Sequence, residues 1–179
     1  MSQVGSVYGG ALYSLCKDEN ISDSVLNELD VLQNTFAQTD DFLRLLSAPN
    51  IAVQERCSIL DDCFRNKVHL YVLNFLKILT QKGFIKQFSC CVDAYRNLYN
   101  DDHNILPVIA VTAVSMTREQ SDRLAEKLSA ITGKTAQPHN RVDPDCLGGV
   151  ILDYDGKRID GSVAGRLASI EKLLKNTVL

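Results

Sequence analysis

The sequence predicts a helical domain followed by a small mixed strand-and-helix domain, an α plus α/β chain. Three observations carry this. From Tyr8 to Tyr99 the apolar residues recur at spacings of three and four, the period of a helix with one buried face. At Ile105 the pattern changes to a β-branched run that alternates in places. Glycines then gather between Gly148 and Gly161, where two short apolar segments flank Asp155-Gly156, the chemistry of a two-residue type I′ turn.

Six helices are expected in the first domain. Tyr8, Leu12 and Leu15 mark the first, which also holds Gly9 and Gly10. Each glycine costs about 1 kcal/mol against alanine inside a helix, so this helix is either a docking surface or a frayed end. Ser22 is expected to cap the second, with Val25, Leu29, Leu32 and Phe36 as its stripe. Asp40 or Asp41 is expected to cap the third, which carries Phe42, Leu43, Leu45 and Leu46 and is broken at Ser47-Ala48-Pro49-Asn50. Val53, Cys57, Leu60 and Phe64 mark the fourth. Val72, Phe75, Leu76 and Leu79 mark the fifth, which Lys82-Gly83 ends. Ile85, Phe88, Val92, Tyr95 and Tyr99 mark the sixth, and Asn100–Asn104 reads as a polar break. The domains are therefore set at 1–103, a six-helix bundle, and 104–179.

In the second domain Ile105–Val114 reads as a strand. Thr117-Arg118-Glu119-Gln120 fits a capping box for a helix bearing Leu124, Leu128 and Ile131, which Gly133 stops. Lys134–Arg141 contains Pro138 and is expected as an edge strand at best. Ser162, with Asp160 as competitor, is expected to cap a last helix carrying Val163, Leu167, Ile170 and Leu174.

Hydrophobic residues make up 45% of the 179, enough to build a packed core. The net charge of −3 argues against a protein that tracks a nucleic-acid backbone. No apolar run approaches the roughly 18–20 residues of a membrane span, and Met1–Gly5 has no signal-peptide pattern. The expectation is a soluble, cytosolic chain that can sit on a membrane complex. The six cysteines, with no Cys-x-x-Cys among them, are expected as small core residues, and the three histidines lie too far apart for a zinc site.

Gly156-Lys157 is followed by Arg158 and lacks the glycine offset of a phosphate-binding loop. The acid pairs Asp61/Asp62 and Asp101/Asp102 are adjacent in sequence, so they do not face each other on a helix. His69 lies near a helix start and suits a cap, and Ser162 has no nucleophile-elbow glycines around it. No cofactor, metal or small-molecule ligand is expected. This profile favours a protein that holds others.

The order of the motifs resembles the delta subunit of F-type ATP synthases, the counterpart of the mitochondrial oligomycin-sensitivity-conferring protein. The residues that carry the resemblance are Val142-Asp143-Pro144, then Leu147-Gly148-Gly149-Val150-Ile151-Leu152, then Ile159-Asp160-Gly161-Ser162-Val163 with Arg166-Leu167. Tyr8, Ala11-Leu12-Tyr13, Leu46-Ser47-Ala48-Pro49 and Val114-Ser115-Met116-Thr117 with Gln120 support it. Gly9, where relatives often have alanine, and Phe84, where they often have a basic residue, depart from the pattern.

The resemblance implies a non-catalytic stator subunit, peripheral on the cytoplasmic side of the cell membrane, without inserting in it. It implies that the helical domain receives the N-terminal helices of the alpha subunits and that the second domain meets the stalk's b subunits. The groove residues carried over are Tyr8, Ala11, Leu12 and Leu15 on the first helix, and Val72, Phe75, Leu76 and Leu79 on the fifth. Gly148, Gly149, Asp160 and Ser162 form the signature hairpin. Glycines in the first helix would let an incoming helix approach, and Leu12→Asp is expected to weaken its binding while leaving the fold intact. The competing reading is a small nucleotide-binding enzyme that uses Gly148–Gly161. A helical adaptor of nucleic acid is disfavoured by the acidity.

Overall fold

The computed structural model describes residues 3–48 and 50–168, and it is mostly helical with a mixed four-stranded sheet toward the C-terminus. It divides into two compact units between Tyr99 and Asn100.

Helices α1 (Gln3–Asp18), α2 (Ser22–Gln38), α3 (Asp40–Ser47), α4 (Val53–Phe64), α5 (Leu70–Gln81) and α6 (Phe88–Asp102) come first, with a 3₁₀ turn at Ile85–Gln87. Their stripes close on one core. Phe36 is its aromatic hub, with ring centroids 5.7 Å from Phe42, 6.1 Å from Phe64 and 5.1 Å from Phe88. Such offset and edge contacts add to burial of the rings. Tyr95 is fully buried yet satisfied, its hydroxyl donating to the Ser22 carbonyl at 3.1 Å. Arg96 ties α6 to α2 through Asp30 and Gln33.

Several local expectations need correction. The cap position of α2 is Ile21, not Ser22, and no side chain caps it. Asn20 takes a left-handed φ and delivers the chain into the helix one residue early. The cap position of α3 is Thr39, also without a side-chain bond, while Asp41 pairs with Arg44. Asn100–Asp102 is the last turn of α6 rather than a break. The helix stops where Asn104 turns left-handed and its N–H bonds the Asp101 carbonyl. Of the cysteines only Cys16, Cys91 and Cys146 are buried; Cys57 and Cys63 are half-buried and Cys90 is exposed.

In the second unit β1 (Ile105–Thr112), α7 (Arg118–Thr132) and β2 (Thr135–Val142) form a parallel crossover. A 3₁₀ turn at Pro144–Cys146 leads to β3 (Val150–Tyr154) and β4 (Lys157–Asp160). The sheet order is β2-β1-β3-β4, with β3 antiparallel to both β1 and β4. Pro138 lies on the edge strand, as its missing N–H demands. Pro107 lies in β1, but β1 meets β3 only from Ile109 on, so this proline stands where β1 has one neighbour. Leu106, Val108, Ala110, Ala136 and Leu152 pack with Leu128 of α7 as a small core.

The capping box at α7 is complete: Thr117 accepts from the Gln120 N–H and Gln120 from the Thr117 N–H. Gly133 ends the helix in the left-handed region. Asp155 and Gly156 both have positive φ, as a type I′ turn requires. A helix begins at Val163 and is described through 168; Ile170 and Leu174, expected on its stripe, lie outside the described residues.

Candidate functional site

Helix α1 has two working faces. Gly5, Gly9, Leu12, Tyr13 and Cys16 are buried. A Cβ on Gly5 would lie 2.7 Å from the Cys90 carbonyl oxygen, and one on Gly9 would overlap the Cys91 carbonyl. These glycines therefore serve the close approach of α1 to α6. Their missing side chains are used inside the chain, not by an incoming helix as the sequence suggested. A Cβ on Gly10 meets only Leu98, at an ordinary 3.6 Å.

The other face of α1 looks across to α5. Tyr8, Ala11, Leu12 and Leu15 form one wall of an open apolar groove of about 440 Å³. Tyr71, Asn74, Phe75 and Ile78 form the other. Leu15 is 45% exposed and Ile78 43%, large apolar side chains left uncovered in the free chain. Leu12 is only 7% exposed and belongs to the core as well as to the groove.

Of the α5 residues assigned from sequence, Phe75 lines the groove. Val72, Leu76 and Leu79 are fully buried and point into the core. Tyr71, Asn74 and Ile78 were missed. They sit with Phe75 at i, i+3, i+4 and i+7, a second helical stripe beside the more apolar one. His69 holds the start of this wall. Its Nδ1 accepts from the Tyr71 N–H at 3.3 Å, and its own N–H donates to Glu28 at 2.7 Å. At the far end Tyr8 meets Phe84 with centroids 6.0 Å apart. The aromatic at position 84 thus extends the wall behind Tyr8.

The signature hairpin is closed on itself. Gly149 has φ of +80°, and a Cβ there would overlap the Gly161 carbonyl. The Gly161 N–H bonds the Val150 carbonyl and the Val163 N–H bonds the Gly148 carbonyl, both at 3.0 Å. Asp160 accepts from the Ser162 N–H at 2.9 Å and from its hydroxyl at 2.6 Å. Ser162 in turn accepts from the Gly165 N–H at 3.0 Å, the N-cap bond. These two hydrogen bonds from Ser162, aided by Arg158, hold the Asp160 carboxyl below the usual carboxylate range. The missing Cβ of Gly149 is thus used by the Gly161 backbone, and the turn is not a helix-capping glycine loop of the phosphate-binding kind, so the nucleotide-binding reading is not favoured.

Elsewhere Tyr71 and Tyr99 are raised chiefly by Glu19 and Asp23 beside them, and the cysteines and Tyr95 by burial. Desolvation, with Cys90 nearby, pushes the Cys91 thiol up to about 11, and desolvation likewise raises Cys16 and Tyr95. Asp61 and Asp101, from the adjacent acid pairs, meet Lys77 and Lys134. Among the described residues no cluster of His, Cys, Asp and Glu has the make-up of a metal site.

Known proteins resemble the chain over nearly its full length. The profile of the ATP synthase delta (OSCP) subunit matches residues 4–174. An ATP synthase subunit delta of Alkaliphilus oremlandii is 32% identical over 98% of both chains. One of Lactobacillus johnsonii is 31% identical over 97% of this chain and 96% of its own. A chain in the mitochondrial ATP synthase hexamer of Toxoplasma gondii superposes with a TM-score of 0.76 over 97% of this chain and 98% of its own. At 19% identity it speaks for the fold alone.

Proposed function

The chain belongs to the ATP synthase delta (OSCP) family, as a non-catalytic stator subunit of an F-type ATP synthase, and from this premise we propose how it makes its attachments. Helices α1–α6 act as one bundle that receives alpha-subunit N-terminal helices, and the α1/α5 groove is one seat. The second unit meets the b subunits of the peripheral stalk. The assembly holds the catalytic head against the torque of the rotor on the cytoplasmic side of the membrane. No described helix is long and apolar enough to cross a membrane, in keeping with peripheral attachment through the complex.

The observation that carries this reading is the open groove with Leu15 and Ile78 uncovered on either side. An amphipathic helix laid in it buries its own apolar face while keeping its backbone bonded. A stator needs contact area and several attachment points, not a reaction cleft.

Leu12→Asp, the test the sequence suggests, would put a carboxylate into the core and confuse folding with binding. Ala11→Asp and Leu15→Asp are cleaner, since both residues are exposed. Titration calorimetry with an alpha-subunit N-terminal peptide is expected to show affinity falling about 30-fold or more for Leu15→Asp, the scale of a binding hot spot, with helical circular dichroism unchanged. Unchanged affinity in both variants removes the groove from the site.

A further inference from the structure

The α1/α5 groove has a titratable group at the start of one wall. His69 is the N-cap residue of α5, and it caps through Nδ1, which accepts from the Tyr71 N–H at 3.3 Å. Its ring also meets the Tyr71 ring edge to face, with centroids 5.0 Å apart. The Tyr71 hydroxyl donates to Glu19 at 3.4 Å. Three contacts thus fix Tyr71, which lines the groove, and one imidazole makes two of them. A serine or asparagine cap accepts through an oxygen and does not titrate. A ring nitrogen accepts only while it carries no proton.

Histidine is the side chain that ordinarily changes charge between about pH 5 and 8. A second proton on this ring sets N–H against N–H at Tyr71 and adds a positive charge at the positive end of the α5 dipole. Another acceptor lies against the same residue. Glu28 of α2 takes the His69 backbone N–H on Oε2 at 2.7 Å, and its Oε1 has no hydrogen-bond partner among the described residues. The remaining groups nearby keep their charge over this range. Burial raises the Cys16 thiol of α1, and Glu19, in the turn after α1, raises Tyr71, so both stay neutral. Glu19 and Glu28 supply the negative charge, and the exposed Lys67, two residues before His69, stays positive.

We propose that His69 makes the groove pH-sensitive. Neutral, it caps α5 and sets Tyr71 in place for an incoming helix; protonated, its ring leaves Tyr71 for Glu28 and that wall loosens. This rests on the reading that the α1/α5 groove receives a helix, and it adds what regulates the seat. An incoming helix takes the capped form, so helix binding and protonation of His69 compete, and by linkage each weakens the other.

Two measurements on the full-length chain test it, each repeated with His69→Asn and His69→Ser, which cap through oxygen and do not titrate. In the free chain, the Tyr71 amide resonance is expected to move between pH 8 and pH 6 in step with the His69 ring signals, and to stay in place in both variants. A Tyr71 amide that does not follow the ring, or that moves equally in the variants, overturns the switch whatever the groove binds. Titration calorimetry with an alpha-subunit N-terminal peptide is expected to show affinity about threefold weaker at pH 6 than at pH 8, the scale of a lost cap. Binding should release protons near the middle of that range, and the variants should show neither effect. No fall in the unsubstituted chain, or an equal fall in the variants, overturns the regulation while the groove stands. A Tyr71 amide that follows the ring in a chain that binds no peptide even at pH 8 overturns the groove reading, and the regulation with it.

Discussion

Gly9 in α1 and Gly149 before β3 both stand where no side chain fits, yet they fail differently when filled. Gly9 has ordinary helical backbone and lacks only space, because the Cys91 carbonyl of α6 lies against it. Gly149 lacks space and also needs a positive φ. In the helical unit a glycine sets a distance between two rods; in the second unit it sets the path of the chain. The first demand can be met by a small shift of one helix. The second cannot, because the Gly161 carbonyl and the strand register are tied to it.

The largest effect is therefore expected at Gly149. Gly149→Ala meets both a left-handed penalty and a backbone overlap, about 3 kcal/mol or more in sum. Hydrogen exchange should show protection lost in β3, β4 and residues 163–168 while α1–α6 keep theirs. Equal loss in both units would break the contrast. Gly9→Ala is expected to cost about 2 kcal/mol of overpacking, net of the roughly 1 kcal/mol that alanine returns as a better helix former. Gly10→Ala, with open space, should come out neutral or stabilising in the same urea titration. Ser162→Ala removes the N-cap bond, at about 1 kcal/mol, and sharpens the comparison by testing the second unit without touching a glycine. It also removes the hydroxyl bond to Asp160, the larger of the two that depress its carboxyl, and leaves the one from the backbone N–H. The folded carboxyl ionises below its unfolded value near 3.9. Its contribution is thus present above that value and is lost as pH falls through the lower folded one. Unfolding measured from pH 5 downward should steepen less in Ser162→Ala than in the unsubstituted chain.

Much of this was readable in advance, and the reasons are local. A capping box, an Asp-Gly turn and a Gly133 stop are written in four or five consecutive residues. The stripes of α2 and α6 follow from spacing alone. The choice of face on α5 was not readable in that way. Its apolar residues run almost all round, and the more apolar stripe, Val72, Leu76 and Leu79, is the one the core takes. The groove is left with Tyr71, Asn74, Phe75 and Ile78, a rotation of one residue that only the position of α1 decides. The use of Gly5 and Gly9 was hidden for the same reason, since Cys90 and Cys91 lie some 80 residues further along the chain. Ser22 and Asp40 or Asp41 fit capping statistics, but Ile21, after the left-handed Asn20, and Thr39, which also ends α2, take those positions.

Strand β1 is one of the two inner strands of the sheet and also the first of the four to be synthesised. Its β2 partner arrives only after the whole of α7, and its β3 partner about 40 residues on. Until then Ile105–Thr112 has two unpaired edges and a β-branched, apolar sequence, the profile of an aggregation-prone segment. The six helices lie wholly upstream of it, so their unit can close before the strand's partners are made. Folding of the second unit is thus gated by completion of the chain. A chain cut short before Val150 would leave this inner strand with one edge open after the helical unit is complete.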